Sequence, residues 1–201
     1  MSTYRYLSFE VSRGRAAWAA FTKQVQEKAT EFRSTGGKVV GLFAPQLGFA
    51  SDEAVVLLRL ADQSQIAPFD FAETTLRAAE ILTPTVRPSD GQRLRAGGIY
   101  VHRWFTIDGD RVSDFVDFSW RAWKDFEGAF DTEIFGLFTA EANAQDRRAG
   151  AARLLLLTWY RDHGVWEASR EQPRDPNSLF AQRHLLTRTT IGRSSILVPL
   201  A

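Results

Sequence analysis

Apolar and polar residues alternate along Tyr4–Val11, the two-residue period of a strand with one buried face. The period then lengthens. From about Arg13 to Phe32, the residues Trp18, Phe21, Val25, Ala29 and Phe32 fall on one helical stripe, which Gly36-Gly37 ends. Strands follow at Lys38–Ala44 and Ala54–Leu60, joined by a loop with Gly48 and Asp52. A second helix is predicted over Pro68–Leu82, with proline in its first turn, then a short closing strand over Thr83–Arg87. The series then recurs. Ile99–Ile107 reads as a strand, Asp108-Gly109 as a turn, and Arg111–Phe130 as a helix carrying Val112, Val116, Trp123, Phe126 and Phe130 on one face. Strands are predicted at Glu133–Thr139 and Arg153–Tyr160. A helix begins near Asp162, is interrupted by Pro173 and Pro176, and resumes toward His184. Leu185–Ile191 closes the set, and Ser194–Leu200 either extends that strand or runs along the surface.

Short segments repeat in the same order. Val39–Phe43 recurs as Ile134–Phe138 at an offset of 95, Val55–Asp62 as Leu155–Asp162 at 100, and Ile81–Thr85 as Leu185–Thr189 at 104. Insertions near Asn143–Arg148 and Pro173–Asn177 account for the growing offset. The expectation is an α+β chain built as two copies of one βαββαβ unit, residues 1–87 and 98–201, with Arg87–Gly98 as the linker. Val55–Leu60, Arg59 apart, and Leu154–Leu157 read as apolar runs, so both faces of those strands should be buried. Helices cover one face. The sheet of the sister copy is the simplest cover for the other, an arrangement that single-copy relatives would reach as homodimers.

Composition narrows the function classes. The 201 residues are 44% apolar and 24% charged, ordinary values for a globular chain. With 25 basic and 24 acidic side chains the net charge is +1, which makes no electrostatic case for nucleic acid. There is no cysteine, so disulfides and thiolate chemistry are excluded. No run of about 18 apolar residues calls for membrane insertion, and Met1–Val11 lacks the pattern of a secretory signal; a cytoplasmic location is the expectation. Six Trp and fifteen Phe are the unusual feature, and they belong either in an aromatic core or around a cavity.

Several segments resemble the NIPSNAP family of the dimeric α/β-barrel superfamily. They are Gly36-Gly37-Lys38-Val39-Val40-Gly41, Leu47-Gly48 and Val55–Asp62. Tyr100 and Arg103 resemble that family's opening strand, and Trp159–Asp162 with Trp166–Arg170 resembles its strand-to-helix junction. Arg5, Leu7 and Val101 depart from the charged pattern of the opening strands. The resemblance implies a tandem duplication of a ferredoxin-like unit, its two antiparallel sheets packed as an intramolecular dimeric α/β barrel. It implies no single activity, since the superfamily spans cofactor-free monooxygenases, haem-binding dismutases and small stress-responsive proteins.

Two constellations are candidate sites. Tyr100, His102 and Trp104 share one strand face and could line a pocket, with His102 as acid–base group or ligand; packing is the plainer role. Trp159, Tyr160, Arg161, Asp162 and His163 cluster at a strand end, where stacking and a guanidinium could hold a planar or anionic molecule. The plainer role there is Asp162 as a helix cap and Arg161 in solvent. The ligand-binding candidates are therefore Tyr100, His102, Trp104, Trp159 and Arg161, and the catalytic candidates His102 and His163. The histidines His102, His163 and His184 lack metal-ligand spacing, and no cofactor or metal is expected, although one axial histidine would suffice for haem. Arg13-Gly14-Arg15 and Gly97-Gly98 are turns rather than phosphate loops, and no nucleophile elbow is present. Three functions compete. The first is binding of a small hydrophobic or aromatic molecule between sheet and helices. The second is a cofactor-free monooxygenase or isomerase using His102 or His163. The third is an assembly role in which Phe118 and Trp120 join two copies of the chain.

Overall fold

A computed structural model of the chain describes residues 3–61, 70–171 and 178–200. The described residues form eight strands and five α-helices, an α+β chain whose strands pair antiparallel. The first part holds β1 (Thr3–Val11), α1 (Arg15–Ser34), β2 (Lys38–Pro45), β3 (Glu53–Leu60) and β4 (Thr74–Pro84). The rest holds β5 (Ile99–Asp108), a 3-10 turn (Gly109–Arg111), α2 (Val112–Ala129), β6 (Thr132–Ala140) and α3 (Ala144–Ala149). It ends with β7 (Ala151–Tyr160), α4 (His163–Glu171), α5 (Leu179–Leu185) and β8 (Thr187–Val198). The chain divides into two compact units, 1–83 with 194–201, and 84–193.

In the first unit β1 lies between β3 and β4, and β3 is flanked by β2. The odd-numbered side chains of β1 face α1. Leu7, Phe9 and Val11 join Phe21, Val25 and Phe32 of the helix and Val56, Leu58 and Leu60 of β3 in one core. Phe71 closes this core. Its ring lies 5.1 Å from those of Phe9 and Phe21, near perpendicular to both.

The second unit repeats the pairing. β5 lies between β7 and β8, and β7 is flanked by β6. Thr3 faces Leu60 across the first unit's central pair and Ile99 faces Tyr160 across the second's, offsets of 96 (99 − 3) and 100 (160 − 60). The register shifts between Val39 and Gly41 on β2 and between Ile134 and Gly136 on β6, again 95 apart (136 − 41). Ile99, Val101, Phe105 and Ile107 of β5 pack toward the helices, against Phe115 and Trp123 of α2 and Trp166 of α4.

Four expectations need correction. Thr74–Pro84 is a strand paired with β1 along Tyr4–Val11, so the helix predicted over Pro68–Leu82 does not form there. Its first positions, Pro68 and Phe69, and Asp62 of the repeated segment lie outside the described residues. The predicted closing strand over Thr83–Arg87 is the tail of β4, which stops at Pro84. The stretch read as an insertion near Asn143–Arg148 contains α3. Its Asn143 accepts hydrogen bonds from the Gln145 and Asp146 backbone N–H groups while Asp146 accepts from Asn143 N–H, a reciprocal cap. Pro173 and Pro176, read as interrupting a helix, lie outside the described residues. Leu185, read as opening the last strand, ends α5 instead.

Candidate functional site

Within the second unit a cavity of about 610 Å³ opens between the sheet and helices α2, α4 and α5. Its size suits a drug-sized molecule. The sheet supplies the floor through Arg103 and Phe105 of β5, Leu156, Thr158 and Tyr160 of β7, and Gly192 of β8. Trp123 and Phe126 descend from α2, Trp166, Ser169 and Arg170 from α4, and Phe180, Arg183 and His184 from α5. Alternation explains the selection. The even positions of β7 and the odd positions of β5 point to one face, and that face carries the helices.

Arg183 is the central charge of this wall. It is buried, and its guanidinium lies 5.0 Å from the Phe180 ring centre, 5.3 Å from Phe105 and 5.5 Å from Phe115. Its Nη1 donates to Ser119 Oγ at 3.5 Å, and Ser119 Oγ donates in turn to the Phe115 carbonyl at 2.7 Å. Three aromatic faces thus hold a cation in a site with little water. Arg170 stacks 5.7 Å from Trp166, one helical turn earlier. Among the described lining residues there are three arginines and no carboxylate. The indole N–H groups of Trp123 and Trp166 are buried and make no hydrogen bond. An unmade bond to a buried donor costs about 1–3 kcal/mol, so each needs an explanation.

Of the residues singled out in the two constellations, Tyr160 reaches this wall and the others lie elsewhere. Tyr100, His102 and Trp104 do share a face, but it is the face opposite the cavity, in register with Trp159, Leu157 and Leu155. Tyr100 donates from its hydroxyl to the Arg95 carbonyl at 2.8 Å; burial, more than any neighbouring charge, raises its pKa above the ordinary tyrosine value. Trp159 donates to the Gly97 carbonyl at 2.8 Å and lies under the Arg95 guanidinium at 3.8 Å. Trp104 lies 5.8 Å from the Arg153 guanidinium, and Arg153 pairs with Asp146 at 2.8 Å. His102 is fully buried, and burial with the nearby positive charge of Arg193 lowers its pKa to about 3. An imidazole so disfavoured as a cation is a poor base near neutral pH.

The strand-end cluster is a helix start. Asp162 accepts the Val165 backbone N–H at 2.8 Å, and this bond with the Arg161 guanidinium at 3.0 Å holds its pKa below the usual carboxylate range. Arg161 is exposed and also lies 3.7 Å from Asp131. His163 packs near Trp166, its ring centre 6.1 Å away, without reaching the cavity wall. His184, which carried no assignment, is the histidine on that wall. The sequence does hold one signal for the cavity. Arg103 interrupts the apolar positions Val101, Phe105 and Ile107 on the helix-facing side of β5, and an arginine in a buried stripe needs a polar destination. Trp120 is exposed at 47% and Phe118 is half-buried. No helix is long and apolar enough to cross a membrane, and no group of three or more metal-ligating side chains occurs among the described residues.

No protein-family model matches the chain, and no curated protein matches it. Solved structures do. A mutant chlorite dismutase from Candidatus Nitrospira defluvii matches with TM-score 0.62 at 5% identity, covering 99% of this chain and 92% of that one. A candidate monooxygenase from Fusobacterium nucleatum matches with TM-score 0.59 at 10% identity, covering 98% and 93%. The chain shares the fold of these structures. A haem-binding protein from Thermus thermophilus shares that fold with TM-score 0.57 at 8% identity, covering 98% of this chain and 91% of that one. At such identities the fold is shared while the sites are free to differ.

Proposed function

We propose that the second unit binds a small hydrophobic or aromatic molecule in the cavity between its sheet and its helices. The observation that carries this reading is the cavity of about 610 Å³ walled by Phe105, Trp123, Phe126, Tyr160, Trp166 and Phe180. Apolar walls with a few converging polar groups are the usual construction of a small-molecule site. Gly192 provides the control. A Cβ there would meet only the Trp166 ring edge at 3.8 Å, an ordinary contact, so a larger side chain enters the cavity without backbone strain. A panel of aromatic and quinone-like compounds should quench tryptophan fluorescence and raise Tm in the native chain. Gly192→Phe should abolish both effects with little change in the Tm of the free protein. Ligand at about one hundred times its Kd adds roughly 2.7 kcal/mol, a shift that thermal unfolding detects. Uniformly absent shifts across the panel would overturn the reading.

A second reading is enzymatic, as the monooxygenase and dismutase neighbours suggest, with His184 as its acid–base group or ligand in place of His102 and His163. His184 on the wall is the observation that favours it. Haem would suit the same residues: His184 would offer it an imidazole, Arg103, Arg170 and Arg183 would pair with its carboxylates, and the aromatic walls would enclose it. When bound, haem supplies redox chemistry at its iron; the chain's own residues would hold the edges and exclude water. Added haemin should give a Soret band that His184→Ala removes, and no band at any haemin concentration would discard this version. Within the superfamily we place the chain beside the NIPSNAP proteins on the motifs at 36–62 and 159–170, and we read its origin as a tandem duplication. The matching register offsets inside the two units support that origin.

A further inference from the structure

Resting on the cavity reading, we infer that Thr158 and Tyr160 set the specificity of the site: their hydroxyls bind an oxygen atom carried by an otherwise apolar, planar ligand. Both residues line the cavity, and they are almost wholly buried, at 3% and 2% exposed. They are alternate residues of β7, so both side chains leave the sheet on its helix-facing side. Neither hydroxyl makes a hydrogen bond with a described residue. The indole nitrogens of Trp123 and Trp166 are sealed under their neighbours, whereas these two hydroxyl oxygens keep accessible surface. The sheet around them explains why they have no partner. Thr158 lies opposite Val101 on β5 and Ile134 on β6, and Tyr160 lies opposite Ile99 on β5; none of these side chains can accept a hydrogen bond. Thr132, opposite Tyr160 on β6, donates its own hydroxyl to the Trp159 carbonyl at 2.6 Å. The Tyr160 ring is braced by Phe126, 6.3 Å away and near perpendicular. Buried hydroxyls without partners are uncommon, and here two share one wall. A hydroxyl both donates and accepts, so the pair suits a carbonyl or hydroxyl oxygen and asks for no charge on the ligand. Phe105, Leu156 and Phe180 supply the apolar surface for the rest of the ring.

The test uses fluorenone and fluorene, the same rigid three-ring plane with a carbonyl in one where the other has a methylene. Both are titrated by calorimetry into the full chain and into a double variant, Thr158→Val with Tyr160→Phe. The native chain should bind fluorenone about tenfold tighter than fluorene, the weight of one neutral hydrogen bond made in a dry site. The double variant should lose that preference and keep its affinity for fluorene. The infrared carbonyl stretch of bound fluorenone should lie lower in the native chain than in the variant. Because neither hydroxyl is bonded within the protein, the substitutions should not lower Tm; a lowered Tm would show that the hydroxyls serve the fold and would overturn the inference. Equal affinities in the native chain, or a preference and a carbonyl stretch that survive both substitutions, would overturn it while leaving the cavity reading standing. If neither ring binds, the inference falls, and the cavity reading falls with it only if the wider panel of compounds also leaves Tm unmoved.

Discussion

His102 is fully buried, and both its burial and Arg193 act against its protonated form. In the unfolded chain the same imidazole has an ordinary pKa of about 6.5. Between that value and about 3 the unfolded state holds a proton that the folded state does not. Acid therefore favours unfolding. The contribution of this group is complete above the unfolded pKa and is lost as pH falls toward the folded one, at about 1.4 kcal/mol per pH unit. His102→Gln keeps a polar side chain and removes the titration. Stability measured by urea unfolding from pH 7 to pH 4 should fall less steeply in the variant, with one proton fewer taken up on unfolding. Identical slopes would mean that His102 is protonated in the folded chain. The same physics makes His102 a weak base near neutral pH.

At the scale of elements, burial periodicity was readable and local propensity misled. β1, β3, β5 and β7 carry two-residue alternation or continuous apolar runs, and each forms where the pattern predicts. The helical stripe of α1 delivers Phe21, Val25 and Phe32 to the core. β4 is different. Thr74–Pro84 reads TTLRAAEILTP, rich in helix formers, and its first six residues carry no buried side chain to betray a period. It is a strand because Tyr4–Val11 offers an unpaired edge that its backbone completes. Glu73, at φ 59, is in the left-handed region and would itself interrupt a helix. The cavity was hidden for a related reason: its wall gathers single residues from β5, β7, β8, α2, α4 and α5, and no window of sequence contains them. Ala79 tests the β4 account. It is exposed and paired with Leu7, so Ala79→Thr should stabilise the chain by about 0.5 kcal/mol on strand propensity alone. A helix at that position would instead lose stability with threonine, and the sign of the Tm change separates the two.

Across the whole molecule, two units with the same pairing order fill their helix-facing sides differently. In the first, Phe71 meets Phe9 and Phe21 edge to face, Phe9 and Phe21 are tilted at 5.9 Å, and Trp18 joins Phe21 at 6.0 Å. In the second, the corresponding side encloses the cavity, with Arg103 and Arg183 set among its aromatic walls. Stability and binding should therefore separate between the units. Phe71→Ala removes a ring that is 7% exposed and touches two others, and the loss should be about 3–5 kcal/mol. It should leave the affinity of a cavity ligand unchanged, measured at a temperature where the variant is folded. Gly192→Phe should do the opposite, removing binding at little cost in stability. Calorimetry of the native chain should give one ligand per chain. A stoichiometry of two, or a Phe71→Ala variant whose affinity falls with its stability, would show that the first unit also takes part in binding.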